Sequence, residues 1–260
     1  IKVISGDTEN TPYGGGTWAS RGTGIGGEAA AKAGKVIRGN ILDVAGILLQ
    51  SEPETLDIRN NQIVDDVDGN ERMSVAEIGR IVYYRGDTLP KDFQAEMMAV
   101  QHYFPKNYPF AFTNSVHCSH LEVDINTGFI KLLKHWAVED CGTVINPQSV
   151  DDQVRGGVAQ GIGGALYEEC LYNDKGQLLN GNLADYLVPM AVELPDVMVG
   201  HVESRTFDSE LGAKGAGEAG TAGSPAAIMN AINDALSPLG AKATRQPFTP
   251  QRILEALGKV

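Results

Sequence analysis

The stretch "DDQVRGGVAQGIGGALYEEC", residues 151–170, has the apolar spacing of a helix at Val154, Val158, Ile162 and Leu166, and it carries five glycines. Each glycine inside a helix costs about 1 kcal/mol relative to alanine. The pattern is therefore stable only where another backbone or a ligand packs against the bare face. A second stretch has the same property. "LGAKGAGEAGTAGSPAAIMNAINDAL", residues 211–236, sets five glycines around Lys214 and Glu218 and then runs into an apolar helical pattern. Any fold open to this chain must bring something within backbone contact of both segments.

The 31 glycines cluster rather than spread, which points to tight turns and close backbone approach. With 260 residues, 42% of them hydrophobic, the chain can bury a sizeable core. A net charge of -12 argues against nucleic acid or an anionic membrane as the main partner. Cys118, Cys141 and Cys170 form no C-x-x-C pair, too few for a disulfide framework and too scattered for an iron–sulfur or structural zinc site within the chain. No apolar run is long enough to span a bilayer and no signal peptide is recognisable, so the expected setting is cytoplasmic. The chain opens on Ile1 in "IKVISGDT", read as a strand entered midway in a piece of something larger.

Glu28 to about Gln50 reads as a helix, with Ala29, Ala33, Ile37, Ile41 and Ala45 at four-residue spacing. Residues 55–72 read as a small hairpin turning at Asp68-Gly69, and Ser74 with Glu77 reads as a capping box before a second helix. "CSHLEVDINTGFIKLLKHWAV" is a hairpin around Asn126-Thr127-Gly128, and residues 196–204 are a further strand. Ser224-Pro225 and Thr249-Pro250 read as N-cap and first-turn proline of two more helices. Strands and helices mix without a regular βαβ beat, so the fold class is α+β, over one domain spanning 1–260.

Gly215, Gly217 and Gly220 satisfy G-x-G-x-x-G, as do Gly22, Gly24 and Gly27. A dinucleotide fingerprint joins a strand directly to a helix and is followed by an acidic residue about 20 positions on. Neither match has that context, and no Gly-Lys-Ser/Thr follows to make a P-loop. Glu218 is the group with chemistry: small neighbours let a ligand approach, and a carboxylate held there can act as a general base, or it is an ordinary exposed loop carboxylate. "YGGGTWASRGTGIGG" offers backbone amides, Thr17, Ser20 and Arg21 to an anion just ahead of a helix. Gln160, among small residues on its helix, could read the edge of a heterocycle or face water. His117 and His120 in "VHCSH" point to opposite faces of a strand and cannot share a metal ion. Asp140, Cys141 and Asn146 in "EDCGTVINP" could satisfy turn amides as readily as touch a ligand.

In this order, "GDTENTPYGGGTWASRGTGIGGEAA", "LEVDINTGFIKLLKHWAVEDCGTVINPQSVDDQVRGGVAQGIGGALYEE", "GAKGAGEAGTAGSPAAIMNAINDAL" and "FTPQRILEAL" resemble the molybdenum-binding subunit of the xanthine oxidase/aldehyde oxidase family, in its C-terminal half. The resemblance is weakest over residues 51–110. It implies a molybdopterin cofactor, with or without a cytosine dinucleotide, bound by the loop at Ala19, Ser20, Arg21 and Gly22, by Gln160 and by Lys214. It implies no protein ligand to the metal.

Glu218 in "KGAGE" matches the glutamate beside molybdenum, the general base of a hydroxylation that takes its oxygen from water and acts on an aldehyde or an N-heterocycle. Where the family often has a larger residue or proline next, this chain has Ala219. The resemblance places [2Fe–2S] clusters and FAD on partner chains, alongside the N-terminal half of the subunit. A carbon monoxide dehydrogenase-type member, or a non-catalytic cofactor-binding or assembly subunit, are the alternatives.

Overall fold

The computed structural model describes residues 2–11, 14–107 and 111–260. The single domain expected over 1–260 is built as two compact units: Ile1–Thr11 with Ile25–Phe104, and Pro12–Gly24 with Pro105–Val260.

The first unit holds α1 (Glu28–Leu49), β1 (Leu56–Arg59), β2 (Gln62–Asp65), β3 (Glu71–Ser74) and α2 (Val75–Tyr84). A six-residue π-helix, Gly22–Gly27, runs directly into α1. The C-terminal half of α1 buries Ile41, Leu42, Val44 and Ala45 against Leu56, Ile63, Ile78 and Leu89. Of the anticipated capping box the N-cap half begins α2, where the Ser74 hydroxyl accepts from the Glu77 amide at 3.1 Å, while the Glu77 carboxylate turns to Arg80. The anticipated hairpin turns at Asp68-Gly69 between β2 and β3, and β1 extends it to a three-stranded meander, β1-β2-β3. Its first turn is made by Asn60 and Asn61, both with positive φ, a conformation asparagine tolerates because its amide bonds locally. That turn lacks a glycine, so no strong hairpin signal marks it.

The second unit is a mixed three-stranded sheet, β4 (Asn114–Val123), β5 (Ile130–Asp140) and β6 (Val197–His201), covered by α3 (Pro147–Leu166) and α4 (Ala219–Leu236), with α5 (Pro250–Ala256) at the end. β4 and β5 form the expected antiparallel hairpin, and β6 joins β5 in parallel. Val154, Val158 and Ile162 of α3 and Ile228, Ile232 and Leu236 of α4 supply a core without solvent exposure, joined by Phe248 and Ile253. The mixture of helices and small sheets is the α+β class read from the sequence.

The glycines of α3 have the purpose their number demanded. Gly157 faces Gly220 of α4, and a Cβ added to Gly220 would lie 2.6 Å from the Val158 amide nitrogen and 2.7 Å from the Val154 carbonyl oxygen. One turn on, Gly161 faces the Ser224 side chain. The two helices thus meet backbone to backbone.

Two expectations are corrected. Lys2–Ser5 is not a strand. Ser224 is no N-cap, because α4 begins at Ala219 and Pro225 lies inside it. Ser224 is fully buried and its hydroxyl donates back to the Gly220 carbonyl at 2.7 Å, a common accommodation of serine within a helix. The Ser-Pro pair imitates a helix start that contact with α3 moves upstream. Thr249 does cap α5, accepting from the Arg252 amide.

Candidate active site

The earlier start of α4 puts Glu218 at its N-cap position, directly before the glycine interlock. The stretch leading to it is fixed to the sheet: the Lys214 amide donates to the Cys141 carbonyl at 2.7 Å, and Gly142 and Ala213 form an isolated bridge. The Lys214 ammonium donates to Asp140 Oδ2 at 3.0 Å and to Ser204 Oγ at 3.2 Å. Burial works to raise the Asp140 carboxyl, but Lys214 and the amides of Gly142 and Ser204 outweigh it and hold the group below the usual carboxylate range. Asp140 therefore serves the turn. Asn146 does likewise, its side chain accepting from the Ser149 amide to cap α3, and burial pushes the Cys141 thiol up.

The loop ahead of Gly22 folds on itself. The Arg21 guanidinium donates from Nε and Nη2 to the Gly16 carbonyl at 3.2 and 3.0 Å and lies 4.3 Å over the Trp18 ring. Trp18 Nε1 donates to the Gly15 carbonyl at 3.0 Å. Between them Ala19 and Ser20 both adopt left-handed conformations, φ 50° and 55°. Each costs of the order of 1 kcal/mol for a non-glycine residue, a strain that persists only where the surroundings enforce it.

The enforcing contact is with Glu218. Ser20 Oγ donates to Glu218 Oε2 at 2.7 Å and accepts from the Glu218 amide at 2.9 Å. Gly215 and Gly217 make this approach possible: a Cβ on Gly215 would sit 2.7 Å from Ser20 Cβ, and one on Gly217 would sit 3.1 Å from Ser20 Oγ. The G-x-G of the visible motif is a seat for a serine 195 or more positions earlier in the chain, not a phosphate turn. Glu218 Oε1 has no hydrogen bond among the described residues and the side chain is exposed.

Ala19, Ser20, Arg21, Gly22 and Glu218 therefore come together in the second unit. Gln160 is exposed on α3, its amide without a partner among the described residues. Lys214 stands apart, engaged by Asp140. Sequence reasoning missed Gln153, two helical turns before Gln160, whose Nε2 donates to the Gly217 carbonyl at 3.3 Å. The seven-residue spacing of the two glutamines on one helix was the available signal. It also missed His135 and Glu139, both fully buried beneath α4. The alternation of β5 placed them on one face, but nothing local marked that face as covered.

Among the described residues no group of three or more His, Cys, Asp or Glu is placed to hold a metal ion, and no helix is long and apolar enough to cross a membrane. The residues do fit a broad cofactor held by non-covalent contacts. A strained turn, an exposed amide and a carboxylate with one open oxygen lie among residues too small to block approach.

Residues 1–195 match a family model described as a molybdopterin cofactor-binding domain. The chain is 34% identical to the nicotine 6-hydroxylase large subunit of Paenarthrobacter nicotinovorans over 98% of its length, and 30% identical to the carbon monoxide dehydrogenase large chain of Hydrogenophaga pseudoflava over 99%. It spans 31% of each of those relatives. Its fold superposes on quinoline 2-oxidoreductase from Pseudomonas putida 86 with a TM-score of 0.82 and 35% identity, covering 95% of this chain and 31% of that one.

Proposed function

Because the chain belongs to the molybdopterin cofactor-binding family of the molybdenum hydroxylases, we propose that it carries the catalytic carboxylate of an oxidoreductase that hydroxylates an N-heterocycle or an aldehyde with oxygen from water. The observation that supports this most is the two-way hydrogen bonding of Ser20 and Glu218. It fixes one carboxylate oxygen and leaves Oε1 open. The same bonds hold the Ala19–Ser20 turn, and the oxygen left open is the group a base requires.

The molybdenum cofactor, when bound, supplies the redox chemistry. The chain supplies position and a proton acceptor. The Ala19–Gly22 turn presents its backbone to the cofactor, Arg21 keeps the turn closed through Gly16 and Trp18, and Gln160 offers its amide to the pterin edge. Lys214 acts indirectly, tying the segment before Glu218 to Asp140. Glu218 Oε1 accepts the proton released as water-derived oxygen is added to the substrate carbon, while Ser20 keeps the carboxylate from turning away.

Names such as nicotine 6-hydroxylase and quinoline 2-oxidoreductase favour a heteroaromatic substrate. The carbon monoxide dehydrogenase large chains, at 28–30% identity, keep that activity as the second reading. Electrons would leave to [2Fe–2S] and FAD partner subunits, with the N-terminal part of the molybdopterin subunit completing the pocket.

Glu218→Gln in the assembled enzyme should retain molybdenum and pterin and lower turnover at least about a hundredfold. Turnover near that of the parent would sink the assignment. A substrate panel of N-heterocycles, aldehydes and carbon monoxide on the parent enzyme separates the two readings.

A further inference from the structure

Among the described residues, the buried side-chain atoms without a hydrogen-bond partner are His117 Nε2, both oxygens of Glu139 and His201 Nδ1. All lie on the sheet of the second unit, and Glu139 is paired in register with His201 on β6. They extend a row that begins at Ser119, whose Oγ is 2.8 Å from His135 Nδ1. His135 Nε2 is 3.1 Å from His117 Nδ1, and His117 Nε2 is 3.4 Å from Glu139 Oε1. The His117 and Glu139 side chains are 2% and 0% exposed. The Glu139 carboxylate and the His117 imidazole thus face each other at this one buried contact, neither facing atom having a hydrogen-bond partner among the described residues. Beyond it, His201 is occupied at Nε2 by Asp151 of α3, at 2.6 Å, and residues 219–230 of α4 bring no titratable group to the row.

The other side of the same imidazole bears α4. A Cβ built on Gly223 would lie 2.6 Å from His117 Nε2. Only glycine lets the helix rest on that ring. Gly223 is in the first turns of α4, where the Ala222 amide donates to the Glu218 carbonyl at 3.0 Å, and Gly220 presses on α3 from the other flank. The ring and α3 together set where the helix start, and hence Glu218, can lie.

We propose that His117, flanked by Glu139 and His135, is a positioning residue for Glu218. This rests on the reading of Glu218 as the base. Its role is to keep the first turn of α4 at one height above the sheet, because a displacement of about 1 Å at a reacting group can cost about a hundredfold in rate.

The test uses the full-length protein with its cofactor and reads two quantities: amide hydrogen exchange at Gly220–Ala222, and kcat against KM. Glu139→Gln keeps the shape and removes the carboxylate charge from beside the ring. It should speed exchange at those amides about tenfold and lower kcat with KM little changed, molybdenum content being retained. Gly223→Ala should disturb the same amides by pressing on the ring. Unchanged exchange in Glu139→Gln, or in Gly223→Ala, overturns the proposal. The functional reading fails separately, through full turnover in Glu218→Gln, and the exchange measurement still decides the positioning role in that event.

Discussion

The chain has two glycine-rich regions that look alike in sequence and behave as opposites. In the α3–α4 contact, glycine is required by what it touches: added Cβ atoms at Gly220 and Gly157 would meet backbone of the facing helix. In the first loop, Gly16 has nothing within 4 Å of an added Cβ, and the left-handed residues nearest Glu218 are Ala19 and Ser20 rather than glycine. One region uses glycine to remove volume between packed elements. The other leaves space open and places its strain on side-chain-bearing residues that make the site's hydrogen bonds. Glycine density therefore marks backbone contact between helices in the first case and a loop folded on its own side chains in the second.

The contrast is broken or sharpened by four measurements. Gly220→Ala should destabilise the second unit most, by about 3 kcal/mol, since neither Val158 nor Val154 can move its backbone cheaply. A denaturant midpoint shifted by less than a third of that would mean the helices can part. Ser20→Ala should cost about 1 kcal/mol in stability, and about tenfold in turnover by releasing Glu218 Oε2. Equal losses of turnover and cofactor would instead mark Ser20 as a binding group only.

Beneath α4, burial and then the neighbouring His117 lower the pKa of His135 from 6.5 to about 4. As pH falls from 6.5 toward 4, the unfolded chain takes up a proton that the folded chain refuses, so stability drops across that interval and is fully present above it. His135→Gln should flatten this part of a melting-temperature profile, and an unaltered slope would show that the ring titrates freely. Smallest of all, Gly26→Ala in the π-helix that follows the loop, where an added Cβ meets nothing, should stay within about 0.5 kcal/mol of the parent. A large loss there would erase the distinction between the two regions.

Local pattern carried much of this structure. The α3 glycines announced a backbone contact, the Ser74 and Thr249 caps began their helices, and the β4–β5 hairpin turned where Asn126-Thr127-Gly128 indicated. Glu218 stood out because its neighbours are small. What escaped notice was set by partners distant in sequence. Ser20 and Glu218 are 198 positions apart, and no period or spacing connects them. Gln153 reads as an ordinary polar helix residue until Gly217 lies over it. Ser224-Pro225 misled because a helix N-terminus is decided by what it packs on as well as by its capping chemistry. His135 and Glu139 looked like residues of a half-exposed strand, and only the arrival of α4 turned them into a buried row.

The separation of Ser20 from Glu218 also has a consequence in time. A chain is synthesised from its N-terminus, so the hydroxyl that orients the carboxylate exists as a waiting half-site until nearly the whole segment has left the ribosome. The loop can close early through Arg21, Gly16 and Trp18, all within six residues of one another. The carboxylate cannot be aimed until α4 has docked. A ligand that touched both groups at once would therefore meet them only after α4 had docked on α3, so the order in which this segment folds would set the order in which its site is completed.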